Sequence, residues 1–266
     1  MEFLKLVRRR SFLSEVVYTV LNIGLAVALL AMIRYTESIP FALALVLVSK
    51  WRVFAVRPRY WFANLRSNLV DFIVSVSVVL HLYTIDQSAL SDSRKLIIMG
   101  VLTALYIAWL LFLKPRSKRS MVAAQAGVAI LLGVSALFTV SFDWPVSLVV
   151  VGMWLIGYSA ARHVLSTYDE ETHGLFIALG WGTALAEIGW VGYHWAIAYS
   201  LPVISSLMLP QVAIISVLVS FVGYKAYDSF YHNQKIRTND IILPLLFTLS
   251  VIAVLIFVFN RVGTTI

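Results

Sequence analysis

Long runs of apolar residues, separated by short polar segments, extend along this chain from one end to the other. Several runs approach or exceed the roughly 20 residues that an α-helix needs to cross about 30 Å of hydrocarbon. None shows the sustained alternation of apolar and polar positions that is typical of a membrane β-strand. The pattern therefore predicts an all-α integral membrane protein. The predicted spans lie near residues 16–34, 38–50, 68–85, 95–113, 121–141, 145–162, 174–196, 207–227 and 241–260.

The second of these runs is the shortest. Only about a dozen residues separate Pro40 from Trp51, so this run is either a short tilted span or a re-entrant segment. The polar segments between the runs are no longer than roughly 20 residues, which leaves no room for a folded soluble domain. Residues 1–266 are therefore predicted to form a single polytopic transmembrane domain.

The distribution of basic residues predicts the orientation of these spans. If the amino terminus is cytoplasmic, all of the 21 Lys and Arg except Arg34, Arg94, Lys95 and Arg261 fall in cytoplasmic segments. Short cytoplasmic segments of membrane proteins carry such an excess. The sequence therefore predicts a bundle of about nine helices with a cytoplasmic amino terminus and an external carboxyl terminus. The first run resembles a secretory signal but lacks a small-x-small cleavage site, so we expect it to remain as a helix.

The composition agrees with a membrane protein and indicates which classes of partner it binds. The chain is 61% hydrophobic and 13% charged, with a mean hydropathy of +0.88. Its net charge of +8 lies in short segments between apolar runs, which favours anionic lipid head groups as partners and disfavours nucleic acid. Cysteine is absent, so disulfides, thiolate metal sites and cysteine nucleophiles are excluded within the chain. The expected location is the cytoplasmic membrane of a bacterial-type cell.

The seventh run, "GWGTALAEIGWVGYHW" at 180–195, contains a carboxylate, Glu187. At 100° per residue, Glu187 shares a helix face with His194, while Gly182, Ala186 and Gly189 lie on another, mostly small face. Small residues three or four apart let a neighbouring helix approach closely, so this second face is predicted to pack inside the bundle. We expect neighbouring helices to shield Glu187 from lipid.

A carboxylate within the membrane needs a partner, and His81 is the first candidate. Both residues lie thirteen positions into their predicted spans, about 20 Å from the cytoplasmic end. One hypothesis makes Glu187, His81 and His194 a proton-binding or cation-binding site, because such groups titrate near neutral pH when they are shielded. The alternative makes Glu187 a protonated or paired group that fixes helix register. The spacing does not indicate a bound metal.

Two polar segments invite a binding hypothesis. The segment 50–71 mixes cations with aromatic residues, which suits the lipid head-group layer; Arg57, Arg59 and Arg66 are candidate ligands for a lipid phosphate. Asp71 is expected to pair with Arg66 or another cation of this segment. The loop 166–174 holds Asp169, Glu170 and Glu171; it matches a helix capping box better than a divalent-cation site.

Known enzyme signatures are missing from the chain. It lacks the paired aspartate-rich motifs of membrane prenyltransferases, the HExxH of zinc proteases and the serine and histidine patterns of membrane proteases and lipid phosphatases. An enzyme is therefore disfavoured and no cofactor is predicted. The leading hypothesis is a carrier or permease for a small solute or cation. The alternatives are a membrane scaffold that binds a membrane-protein partner, and an enzyme that acts on a phosphorylated lipid.

Overall fold

The computed structural model describes residues 12–168, 171–195, 198–201 and 204–258. Eight helices within these ranges are long and apolar enough to cross a membrane, so the predicted all-α multi-pass architecture is confirmed. Predicted features outside the described residues are the basic residues 5–10, Arg261, residues 169–170 of the acidic loop, residue 196 and residues 259–260.

The elements follow one another along the chain with short connections. They are α1 (Phe12–Thr36), α2 (Ile39–Ser49), α3 (Trp51–Phe54), a 3₁₀ turn (Pro58–Tyr60), α4 (Trp61–Asp86), α5 (Asp92–Ala108) continued by a π-helical turn (Trp109–Leu113), α6 (Arg119–Val140), α7 (Val146–Leu165), α8 (Gly174–His194), the antiparallel strands β1 (Ala198–Leu201) and β2 (Ile204–Pro210), α9 (Gln211–Asn233) and α10 (Thr238–Val258).

The short helix α2 carries the chain back across the bundle between α1 and α4. Its 11 residues span about 16 Å, roughly half of the hydrocarbon. Arg34 near the end of α1 lies 2.9 Å from Asp86 at the end of α4, so α1 and α4 run in the same direction. The chain must therefore return between them. Counting α2 with the eight long helices, the described chain passes through the bundle nine times, and residues 12 and 258 lie at opposite ends.

Lys50, Lys114 and Arg119 lie together at one end of the bundle, which we call the basic end. The Arg34–Asp86 pair and the β-hairpin lie at the opposite end. Lys114 at the end of α5 contacts Asp71 of α4, which confirms that α5 runs from the opposite end to the basic end.

Several predicted boundaries differ from the structure. Helix α4 begins at Trp61, seven residues before the predicted span, because a polar and aromatic helical extension precedes its apolar part. The predicted eighth span begins at residue 207, but residues 204–210 form a strand and α9 begins at Gln211. The loop 166–174 was predicted to form a helix capping box, whereas α8 begins only at Gly174, after His173, which makes no side-chain capping hydrogen bond.

Buried apolar residues form two clusters along the bundle. One joins α1, α2, α4 and α5; the other joins α6, α7, α8 and α9. Helix α4 packs against α1, α2, α5, α6 and α7, and so links the two clusters. Helix α8 packs chiefly on α7, while α8 and α9 touch at few positions. That sparse contact positions the cavity described below.

Candidate functional site

A buried ion cluster connects α2, α4 and α5 at the basic end. Asp71 accepts hydrogen bonds from Lys50 and from Lys114, the latter at 2.8 Å. The prediction that Asp71 pairs with Arg66 or another cation of the segment 50–71 is confirmed in its second form, because Lys50 of that segment is the partner and Arg66 is not. Lys114, which lies outside the segment, is a second partner. This arrangement fixes the short helix α2 to the bundle.

Glu187 lies on the exposed face of α8. It makes no hydrogen bond or ion pair with any residue that the structure describes. The expectation that neighbouring helices within this chain shield Glu187 is therefore wrong. Glu187 lies seven residues before the last residue of α8, about 10 Å from that end of the helix. This end of α8 lies at the end of the bundle opposite to the basic end.

The structure does not bring His81 and Glu187 together. His81 is buried in α4 and is hydrogen-bonded to the backbone of Leu132 in α6. His194 is exposed on α8, where its ring contacts Trp190 at a centroid distance of 4.8 Å. The predicted pairing fails because His81 points towards α6 while Glu187 points away from the bundle. Proton or cation binding by Glu187, His81 and His194 stays a prediction.

The small residues of α8 lie against α7. Gly182, Ala186 and Gly189 are on the inward side of the helix, and a side chain on either glycine would meet α7. A Cβ at Gly182 would lie 3.0 Å from the carbonyl oxygen of Trp154, and one at Gly189 would lie 2.4 Å from Cγ of Met153. Because the residues at these two positions are glycines, α7 and α8 can approach each other closely.

The three candidate phosphate ligands are exposed in the segment that leads into α4. Arg57 and Arg66 make no ion pair with any described residue, while the guanidinium of Arg59 stacks over Tyr60 at 4.7 Å from the ring centroid. They lie near the basic end. Binding of a lipid phosphate by Arg57, Arg59 and Arg66 stays a prediction.

A half-open cavity of about 480 Å³ lies among α6, α7, α8 and α9, in the half of the bundle nearer to the basic end. Its volume is in the range of small-molecule sites, about 300–1,000 Å³. Small residues form two of its walls and larger aromatic residues form the others. The small residues include Ala123, Ala126, Gly127, Ala160 and Ala161, and the aromatic residues are Trp181, Phe221, Tyr224 and Tyr227.

The cavity reaches the lipid-facing surface between α8 and α9. Ile177 and Phe221 line it from these two helices and are themselves exposed. The indole nitrogen of Trp181 on α8 donates a hydrogen bond to Ser220 on α9 at 3.3 Å, which bridges the gap. Gly223 makes room for the same ring, since a Cβ there would lie 2.5 Å from the indole. A single aromatic side chain thus spans the opening between α8 and α9.

Lys225 is the one charged residue among the described residues that line this cavity. It has no carboxylate within 4.0 Å in the described part of the chain, and its ammonium lies 5.9 Å from the ring centroid of Tyr224. Lys225 also lines a polar cavity that contains Asp228 and Asp240, so it borders both cavities. The apolar lining suits a ligand with an apolar body, and Lys225 offers an ammonium that can pair with an anionic group.

Aromatic, acidic and basic side chains lie beside the cavity at the basic end. Tyr168 donates a hydrogen bond to Asp228 at 2.9 Å, and the Arg119 guanidinium lies 4.1 Å from the Tyr168 ring centroid and 3.5 Å from Asp228. Burial, reinforced by the Asp228 carboxylate, raises the pKa of the Tyr168 phenol above its usual range. Tyr227 donates to Glu171 of the acidic loop. These contacts link the ends of α6, α7, α8 and α9.

A second, more polar cavity of about 640 Å³ adjoins the start of α6 at the same end. Its lining includes Lys114, Arg116, Arg119 and His163 but no acidic residue among those described. Gln125 lines this cavity, and its side-chain amide donates hydrogen bonds to the carbonyl oxygens of Leu113 and Arg116 at 2.7 and 2.8 Å. This cavity makes the surface beside the apolar cavity positive.

The comparisons with known proteins supply no relative: no family, no curated protein and no solved structure matches the chain. The described residues include no group of three or more His, Asp or Glu placed to hold a metal ion. Sequence reasoning missed the apolar cavity, Lys225 and the Arg119–Tyr168–Asp228 contacts. Clustered small residues at 123–127 and 160–161 were a weak signal, because such residues equally mark tight helix packing.

Proposed function

We propose that this protein is a membrane carrier and that its substrate is a single-chain amphiphile with an anionic head group. The observation that carries the proposal is the apolar cavity among α6, α7, α8 and α9. Protein interiors contain few voids larger than a water molecule. An apolar space of about 480 Å³ is poorly suited to water and well suited to an alkyl chain.

Lys225 provides the head-group contact in this proposal. The substrate's alkyl chain occupies the space beside Gly127 and Ala161, while its phosphate or carboxylate pairs with the ammonium. The positive surface at Lys114 and Arg116 raises the local concentration of anions at the same end. The positive-inside pattern assigns this basic end to the cytoplasm, so the substrate enters from the cytoplasmic leaflet.

The bridge between Trp181 and Ser220 crosses the opening of the cavity towards lipid. Its rupture widens the path between α8 and α9, which pack only sparsely on each other. Passage through such a side opening lets an alkyl chain stay in an apolar environment throughout. Glu187 lies on the outer surface of α8 and is not part of this path.

The proposal is tested with purified protein in liposomes and a fluorescent dodecyl phosphate. We expect the protein to accelerate exchange of the probe between leaflets, measured by chemical quenching of the probe in the outer leaflet. Gly127→Phe should abolish the acceleration, because its side chain projects into free space within the cavity. Gly100→Phe is the matched control, since Gly100 is also unobstructed but lies on the exposed face of α5.

The head-group contact has its own matched pair of variants. Lys225→Gln should raise the half-saturating probe concentration about tenfold, equivalent to about 1.4 kcal/mol. Lys235→Gln removes an exposed lysine beyond α9 and should leave that concentration unchanged. Exchange no faster than in protein-free liposomes, or equal loss in Gly127→Phe and Gly100→Phe, contradicts the proposal.

A further inference from the structure

The outward face of α8 carries a regular row of exposed residues. Phe176, Gly180, Thr183, Glu187, Trp190 and His194 are all exposed and follow one another at intervals of four, three, four, three and four residues. We call this row the α8 seam. Alternating intervals of four and three are the repeat by which two helices pack in a left-handed pair. Helix α8 therefore has one small face that packs on α7 and a second face arranged for another helix.

Glu187 supplies an independent reason for a partner at this face. It lies within the membrane-spanning part of α8 and has no hydrogen-bonding partner among the described residues. Trp190 lies one turn nearer to the end of the helix, so Glu187 is deeper than the aromatic residues that anchor the interface. A carboxyl group facing hydrocarbon is unfavourable and is normally found paired. Thr183 does not require a partner from another helix, because its hydroxyl donates a hydrogen bond to the carbonyl oxygen of Leu179 in α8 itself.

We infer that the α8 seam is the interface of a homodimer, in which two copies pack α8 against α8 about a two-fold axis along the membrane normal. A two-fold axis places each seam residue opposite its own counterpart. A protonated carboxyl group has one donor and one acceptor, so two Glu187 side chains satisfy each other across the axis. Thr183 and Gly180, one and two turns away, are small enough to let the two helices approach.

The seam is separate from the cavity. Of the residues named in the seam, none lines the cavity between α6, α7, α8 and α9. Trp181, which spans the opening of that cavity, lies on the side of α8 that faces α9. Dimerisation would thus leave the substrate path of each copy intact, and the inference stands whether or not the protein is a carrier.

The native chain contains no cysteine, which permits a direct test by disulfide formation. Gly180→Cys and Thr183→Cys should each form a disulfide-linked dimer in liposomes under mild oxidation, because facing seam positions bring the Cα atoms within bonding range. Gly100→Cys, on the exposed face of α5, is the matched control and should stay monomeric at the same protein-to-lipid ratio. Dimer yield equal to that of Gly100→Cys at both seam positions overturns the inference.

A second measurement tests the role of Glu187. Energy transfer between labelled copies gives the dimer dissociation constant in liposomes. Glu187→Leu should weaken association about tenfold, whereas Glu187→Gln should retain it, since an amide also both donates and accepts. Equal affinity in the wild type and Glu187→Leu refutes the carboxyl pairing. A purified protein that remains monomeric, yet joins a different membrane protein through the seam in cells, overturns the choice of a second copy.

Discussion

Asp71→Asn should strongly destabilise the bundle, because it leaves a buried lysine without its counter-charge. The side chains of Lys50 and Asp71 are 6% and 11% exposed, whereas that of Lys114 is 35% exposed and can turn towards water or lipid phosphate. Breaking a buried pair by removing one partner costs about 3–5 kcal/mol. Since Lys114 relaxes, we expect a loss at the lower end, about 3 kcal/mol in the free energy of unfolding.

The assay is reversible unfolding in mixed micelles with increasing denaturing detergent, followed by circular dichroism. Asp92→Asn is the control, since it removes a carboxylate that is 79% exposed and pairs with Arg34 at 3.1 Å. Such an exposed pair contributes under about 1 kcal/mol. The double variant Lys50→Met with Asp71→Leu should recover most of the loss by removing both buried charges. Equal stability of Asp71→Asn and Asp92→Asn would refute this reasoning.

Three further outcomes are expected. Gly189→Leu should lower the free energy of unfolding by about 1–3 kcal/mol, because the new side chain collides with Met153 of α7; Gly24→Leu, where nothing obstructs a Cβ, should change it little in the same micelle assay. Gly223→Val should displace the Trp181 ring, which tryptophan fluorescence would report as a shift in emission, whereas an unchanged spectrum would argue against the tight Gly223–Trp181 contact. The raised pKa of Tyr168 favours folding below about pH 10, where the unfolded phenol is still protonated. As pH rises above that value, the wild type should lose stability more steeply than Tyr168→Phe, and parallel profiles would count against that coupling.

The overall architecture could be predicted because the hydrophobic pattern and the basic residues give consistent information. Each long apolar run corresponds to a helix in the structure. The length of the second run did not distinguish a short span from a re-entrant segment. Contacts between residues that are distant in sequence are needed to decide between them. The Arg34–Asp86 and Lys50–Asp71 pairs show how the chain returns, and their partners are 52 and 21 residues apart. Sequence spacing does not reveal the Arg34–Asp86 pair, and for Asp71 it indicated a cation of the segment 50–71 without identifying which one.

The β-hairpin was missed for a local reason. Residues 204–210 are largely apolar, and a short apolar run reads equally as the start of a helix or as a strand. Pro210 then marks the boundary, because α9 begins immediately after it. The strand was therefore absorbed into the predicted eighth span.

The candidate site was predicted in the wrong place because sequence shows the chemistry of a residue but not which way its helix face points. Glu187 is the most unusual residue of its run, yet the structure places it on the outside of α8. Gly127 and Gly182 look alike in sequence; Gly182 packs against Trp154, whereas Gly127 faces free space. Only the packing of four helices distinguishes a contact from a cavity wall.

The most direct test of the central claim is photolabelling of the protein in liposomes with a dodecyl phosphate that carries a diazirine on its chain, followed by mass spectrometry. The account predicts labelling concentrated on the cavity segments 123–130 and 217–227, lost in Gly127→Phe and retained in Gly100→Phe. Labelling spread evenly over the lipid-facing surfaces of α1, α5 and α10, with no enrichment at the cavity, would contradict it.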